Sequence, residues 1–348
     1  GLYGGGYHVG YSDNLIASGQ KASITFNVDN HNTVSVAGNV TITAGNSTSG
    51  DFSMSSGQFY ALYKMTAKAS GNSAAVDFSL NGNNQVTAGG AITVTAGSSI
   101  DLKTSGDVAI SISSIAATGS HATVNVKDTG GNRLTANGGN LTLNALTGSI
   151  DISAASGDYY NYNIKASGSS ASAELTLVVP TELIAKGGDI NLSAGGDIDI
   201  SAGDYPGYSN SLVAIGTNAT AGSSGDMRLV LTANNGNIKL TAGSGVDISA
   251  GDEAGYSVLL SASGSGAKVT VKDRASTTLT AGGDIVVNAG GYLGIEGSDS
   301  AAEYATPTAK GTGAKVTLTA DDSLIMNAGG DLTLTAGSSY LDISAGNY

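Results

Sequence analysis

The feature that most constrains this chain is a phrase that keeps returning. Residues 183–204 read Leu-Ile-Ala-Lys-Gly-Gly-Asp-Ile-Asn-Leu-Ser-Ala-Gly-Gly-Asp-Ile-Asp-Ile-Ser-Ala-Gly-Asp. Apolar side chains fall at alternate positions, at Ile190, Leu192 and Ala194, then at Ile198, Ile200 and Ala202. A period of two marks a strand with one buried face. Each run ends at Ala-Gly, where glycine lets the chain turn. Copies open near Val34, Val86, Leu134, Leu231, Leu279 and Leu324. The glycines before the first strand, Gly38, Gly90, Gly139, Gly188, Gly236, Gly283 and Gly330, are 52, 49, 49, 48, 47 and 47 residues apart by subtraction. A near-constant period of this length signals a repeat architecture.

The repeats run over 38–89, 90–138, 139–187, 188–235, 236–282 and 283–329, inside a single repeat domain covering 1–348. The seventh is split between 330–348 and 1–37. The closing phrase Leu341-Asp342-Ile343-Ser344-Ala345 elsewhere precedes a tyrosine-rich loop, as at Asp158-Tyr159-Tyr160 and Asp204-Tyr205-Pro206-Gly207-Tyr208. The start, Gly1 to Tyr11, is itself tyrosine-rich. Either the two termini meet within one molecule, or the end of one copy continues into the start of the next. The chain opens on Gly1 rather than Met, which reads as a processed product or an excerpt.

The second half of a repeat is a strand, a Gly/Ser corner and an alternating strand such as Val316-Thr317-Leu318. A repeat is therefore about four short strands, and no stretch shows a capped 3.6-residue apolar period. Three all-β architectures fit: a β-solenoid whose coils stack edge to edge, a seven-bladed β-propeller closed by the split repeat, or an extended array of small units. The Ser, Thr, Asn and Asp on one face and the short Ala-Gly corners favour the solenoid, with the propeller as the alternative.

Leu279 to Ile285 (Leu-Thr-Ala-Gly-Gly-Asp-Ile) and Gly329 to Gly337 (Gly-Gly-Asp-Leu-Thr-Leu-Thr-Ala-Gly) resemble filamentous-haemagglutinin-type repeats of large bacterial surface and secreted exoproteins. The likeness covers the first half of nearly every repeat. The hairpin-like second half, with its Ala-Ser-Gly corner, departs from the shorter repeats of that class. The resemblance implies a right-handed parallel β-helix in an extracellular fibre or adhesin.

Composition narrows the partners. The net charge is −13 and charged residues make up only 12%, below the roughly 25% of ordinary domains. Nucleic acid and anionic membrane both call for basic patches, so neither is expected as a partner. No apolar run reaches the length of a membrane helix, so no membrane insertion is expected. With no cysteine there are no disulfides or thiolate metal sites.

Aligning the repeats puts an acid at one position in each: Asp51, Asp101, Asp151, Asp199, Asp247, Glu296 and Asp342. Such a column is either a carboxylate ladder for Ca²⁺ or a solubilising stripe that discourages lateral sheet pairing. A second column, Asp107, Asp158, Asp204, Asp252, Asp299 and Asn347, fits turn chemistry. Lys127, Lys268, Lys272 and Lys315 on the fourth strand offset some of the acids. Most of the 15 tyrosines gather before the third strand, among them Tyr3, Tyr7, Tyr11, Tyr159, Tyr160, Tyr205 and Tyr208. They read as a contact surface for a neighbouring protomer or a glycan, or as cover for a local core. His8, His31 and His121 fall at unrelated repeat positions, and no nucleophile elbow or phosphate loop is present.

The sequence thus points to a non-enzymatic structural segment of an extracellular filament. It is expected to be elongated, to associate with itself head to tail and to need no cofactor, with calcium on the acid column as the alternative. The alternative is a cell-surface adhesin that binds glycan or matrix, in the form of a closed propeller.

Overall fold

The computed structural model describes residues 2–3, 14–45, 48–56, 65–104, 111–154, 161–203, 209–251, 257–297 and 307–345. These residues form strands and turns only. Each coil carries four strands. In the fourth repeat they are Ile190–Ala194, Ile198–Ser201, Ser209–Ile215 and Thr220–Ala233. Every strand pairs in parallel with its counterpart one coil on, giving four sheets of seven, eight, seven and seven strands. Ile190, for example, is opposite Leu141 on one side and Ile238 on the other. The molecule is therefore a parallel β-solenoid. This excludes the propeller, whose blades would pair the strands of one repeat with each other rather than with the next repeat.

The fourth strand differs from expectation. It is not short but 14 residues long in every coil, from Ser23–Val36 to Lys315–Ala328. It joins what reads in the sequence as the end of one repeat and the start of the next. Burial alternates along it, as in Ser172–Ala185, and reaches Leu183 and Ala185 without a break. Strands in paired sheets sit about 4.8 Å apart, so seven levels rise only about 30 Å, while a 14-residue strand spans about 46 Å. A single stack of seven coils is thus wider than tall, and elongation requires more coils.

The interior is thin and aliphatic. Columns such as Ile92–Leu141–Ile190–Ile238–Ile285 and Ile100–Ile150–Ile198–Val246–Leu293 are fully enclosed between coils. Alanine fills the places where strands meet corners. Ala74, Ala122, Ala171, Ala219 and Ala267 form one such column at 0% exposure. A larger side chain there would have no room to enter a core already close-packed.

The corner between third and fourth strands is built on glycine. Gly19, Gly71, Gly119, Gly168, Gly216, Gly264 and Gly311 all take φ between +124° and +145°. Two residues later comes a left-handed position, held by Lys21, Ser73, His121, Ser170, Asn218, Gly266 and Gly313. The turn closes with a bond such as Ala171 N–H to Gly168 O at 3.3 Å. From Gly71 onward, a Cβ on any glycine of this column would fall within 2.1 Å of the preceding glycine's carbonyl oxygen.

Candidate functional site: ladders and a groove on the solenoid surface

Parallel stacking in register sets each side chain beside its equivalents above and below, and this rule organises the polar surface. On the second strand, Asp101, Asp151, Asp199 and Asp247 occupy four consecutive levels, half-buried and facing outward. Two other members of the expected column, Asp51 and Glu296, do not align as read. Asp51 lies two residues earlier, at the level of Ser99, while Ser53 faces Asp101. Glu296 is opposite Ser249 and Ser344 and is buried. Asp342 does share the column's register but is separated from Asp247 by Gly294. The physical reason is register: the apolar residues of the second strand fix the pairing, and Asp51 and Glu296 lie two residues before and after the column position, which Ser53 and Gly294 hold.

The run of like charges has consequences. Burial raises the pKa of Asp101, the Lys103 ammonium lowers it, and the Asp151 and Asp51 carboxylates raise it again. Lys103 Nζ also meets Asp151 Oδ2 at 2.6 Å, so a cation from the neighbouring position is set between the acids. Lys127, Lys268, Lys272 and Lys315 are exposed on the fourth strand and belong to a different sheet. Among the described residues no group of three His, Asp or Glu side chains is arranged to hold a metal. The calcium reading of the column therefore has no converging donor set there.

Two corner ladders escaped the sequence reading. Between fourth and first strands, Asn39 Oδ1 accepts from the Ala91 N–H at 2.9 Å, and Asn140 from Asp189 at 2.9 Å. The series goes on from Asp189 to Asn237, Asn237 to Asp284 and Asp284 to Asp331, at 2.7–2.8 Å. Between first and second strands, Asp51 accepts from Ser99, Ser99 from Ser149, Ser149 from Asp197 and Asp197 from Gly245. In both, a side chain of one coil takes a backbone N–H of the following coil. The second ladder ends in aromatics: Tyr292 and Tyr340 stack with centroids 5.6 Å apart. Burial and the neighbouring carboxylates of Asp247, Asp197 and Asp199 push the Tyr292 phenol up to about 12.

A third ladder runs inside. Asn32, Asn84 and Asn132 share one column of the fourth strand, and the amide of each donates to the Oδ1 of the next, at 2.9 and 3.0 Å. Asn84 also reaches Met54 O and Lys103 O, and Asn132 reaches Leu102 O and Ser153 O. Thr181 takes the position in the next coil and donates to Ser201 O at 2.8 Å. These contacts tie the fourth strand to the second strand packed across from it.

The expected tyrosine surface lies almost wholly beyond reach of description. Tyr7, Tyr11, Tyr159, Tyr160, Tyr205 and Tyr208 lie outside the described residues, as do His8 and the turn column Asp107, Asp158, Asp204, Asp252, Asp299 and Asn347. Tyr3 belongs to the two-residue strand Leu2–Tyr3, whose backbone pairs with Met54 and Ser55. His121 occupies a left-handed turn position, and His31 lies on the outer face of the first long strand.

That outer face carries a groove of about 500 Å3 over the middle of the long-strand sheet. His31, Gln85, Arg133 and Glu182, from four successive coils, line it together with Gly131 and Pro180. A shallower depression of about 250 Å3 lies over Gly222, near the start of the same sheet. No protein-family model, curated protein or solved structure matches the chain.

Proposed function

We propose that this chain is a structural segment of an extracellular filament whose copies associate head to tail. The observation that carries the reading is the in-register stacking itself: each coil meets the next through the same four strands and the same apolar columns, with Val271 opposite Leu318 and Ile285 opposite Leu332. The rim of any such coil is a row of backbone groups beside apolar columns, which recruits further strands.

The surface that fits such a rim is another coil of the same section. The first coil offers one: its long strand has the same 14 residues and its first strand the same five. Stacking in register would set Ile24 over Val316 and Val40 over Leu332, apolar on apolar. Strand addition of this kind draws affinity from main-chain bonds and specificity from alternate side chains. The corner ladders add polarity, because each side chain accepts only from the coil that follows.

The test is electron microscopy and sedimentation of the purified protein across a concentration series. End-to-end particles that lengthen with concentration support the reading, and Leu318→Lys combined with Leu332→Lys should shorten them. Discrete single stacks at every concentration would refute it.

A further inference from the structure

We propose that the groove over Gly131 is a binding site for a neutral, hydroxyl-rich saccharide, independent of any head-to-tail assembly. The groove coincides with a break in the repeat. Along the pairing of Thr123–Ala136 with Ser172–Ala185, the register runs through Thr129 and Val178 and resumes at Asn132 and Thr181. Between them Gly130 and Gly131 face Val179 and Pro180 without ladder pairing. Proline has no N–H to donate, so the ladder loses one bond at Pro180. A Cβ at position 131 would lie 2.9 Å from Pro180 Cγ and 2.5 Å from its carbonyl oxygen. Glycine is therefore required there, because Pro180 occupies the space a side chain would take.

The walls favour a ligand with many hydroxyls and no net charge. Arg133 Nε meets Glu182 Oε2 at 3.1 Å, so guanidinium and carboxylate cancel. The contact uses Nε and one carboxylate oxygen, which keeps the outer guanidinium donors and the second oxygen for neighbouring hydroxyls. Asn83 Nδ2 and His31 Nδ1 form a linked pair at 3.2 Å. Gln85 stands exposed beside them, with an amide that both donates and accepts. An anion finds its one strong cation already paired, on a protein of net charge −13. An apolar side chain finds only the Pro180 ring. Four coil levels span about 14 Å along the stack, room for a short oligosaccharide lying across the strands.

The test presents the whole chain to an array of neutral and acidic di- to hexasaccharides, then measures the best binder by calorimetry. Weak binding of a neutral saccharide is expected, with dissociation constants of about 0.1–10 mM. Arg133→Ala and Gln85→Ala should each weaken it at least about tenfold. Lys272→Ala, at the other depression of the same sheet, should leave it unchanged. All three positions are solvent-facing, and unchanged melting curves would show that folding is not the cause. Failure of every saccharide to bind, preference for acidic saccharides, or indifference to Arg133→Ala and Gln85→Ala would each overturn the assignment. So would groove-dependent binding of an extended peptide in place of a sugar. Because His31 and Thr33 belong to the first coil, binding is measured at concentrations where sedimentation shows single particles, which separates it from head-to-tail assembly.

Discussion

Replacing Gly168 with alanine separates two reasons for glycine at the corner between third and fourth strands. Gly168 has φ +136°, and an added Cβ would lie 1.8 Å from Gly119 O. Gly19 has a comparable φ of +124° but nothing within 4 Å, since among the described residues no equivalent glycine lies beneath it. Gly19→Ala therefore reports the backbone penalty alone, about 1–3 kcal/mol for a sparsely populated region. Gly168→Ala adds a steric demand: the Gly119 carbonyl must retreat by more than 1 Å, since real Cβ contacts stay beyond 3.0 Å. That retreat strains the bonds from Gly119 N–H to Ser167 O at 2.8 Å and from His121 N–H to Ser169 O at 2.7 Å. Two weakened bonds add about 1–3 kcal/mol. The internal substitution should thus cost about 2–6 kcal/mol in total and the terminal one about half as much. In a stacked array this loss falls on one interface between neighbouring coils. Hydrogen exchange by mass spectrometry should show faster exchange in peptides around residues 111–136 and 161–185 for Gly168→Ala, with distant coils unaffected. For Gly19→Ala the change should stay within the first coil. Equal local effects at the two sites would show that conformation alone demands glycine and that close approach of the coils contributes nothing.

Three further outcomes test the ladders. Asn132→Leu, a residue that Leu229 shows the same column accepts, should cost about 2–4 kcal/mol in denaturant unfolding, by stripping Leu102 O and Ser153 O of their donors; Asn132→Thr should cost roughly half, since Thr181 keeps one such bond. Asp101→Asn should raise the melting midpoint at pH 7: burial raises the carboxyl's pKa, so its charged form weakens the fold, and the gain should vanish as acid protonates the wild-type group. In an alkaline absorbance titration one phenol should ionise near pH 12 rather than 10, and Tyr292→Phe should remove that phase; because the folded value is raised, stability should fall as pH climbs above 10, less steeply in the variant.

The architecture was legible because the buried positions obey two simple rules, alternation within a strand and a period near 48 residues between strands. Ile190, Leu192 and Ile198 are where the alternation put them, fully enclosed. The long fourth strand was not legible. Asn84, Asn132, Thr181 and Thr277 are buried at positions where an apolar residue would have continued the pattern, so the strand reads as polar punctuation instead. Only the structure shows that the facing carbonyls of Met54, Leu102 and Ser201 give Asn84, Asn132 and Thr181 partners. Asp51 and Glu296 mislead for a related reason. Each acid sits two residues from the place its column occupies, and only the register set by the apolar residues reveals the offset. The groove was invisible because its members are 48 to 52 residues apart and share no motif, although Gly130-Gly131 and Val179-Pro180 do interrupt the second half of their repeats.

Stacking in register has a consequence for composition. When a module is copied, each residue becomes its own neighbour, so its interaction with itself is multiplied along the whole axis. Amides and hydroxyls tolerate this, since they donate on one side and accept on the other. A charge meets its own sign about 4.8 Å away at every step. A chain built on such self-adjacency is pressed toward Asn, Ser and Thr, and this one keeps charged residues to 12%.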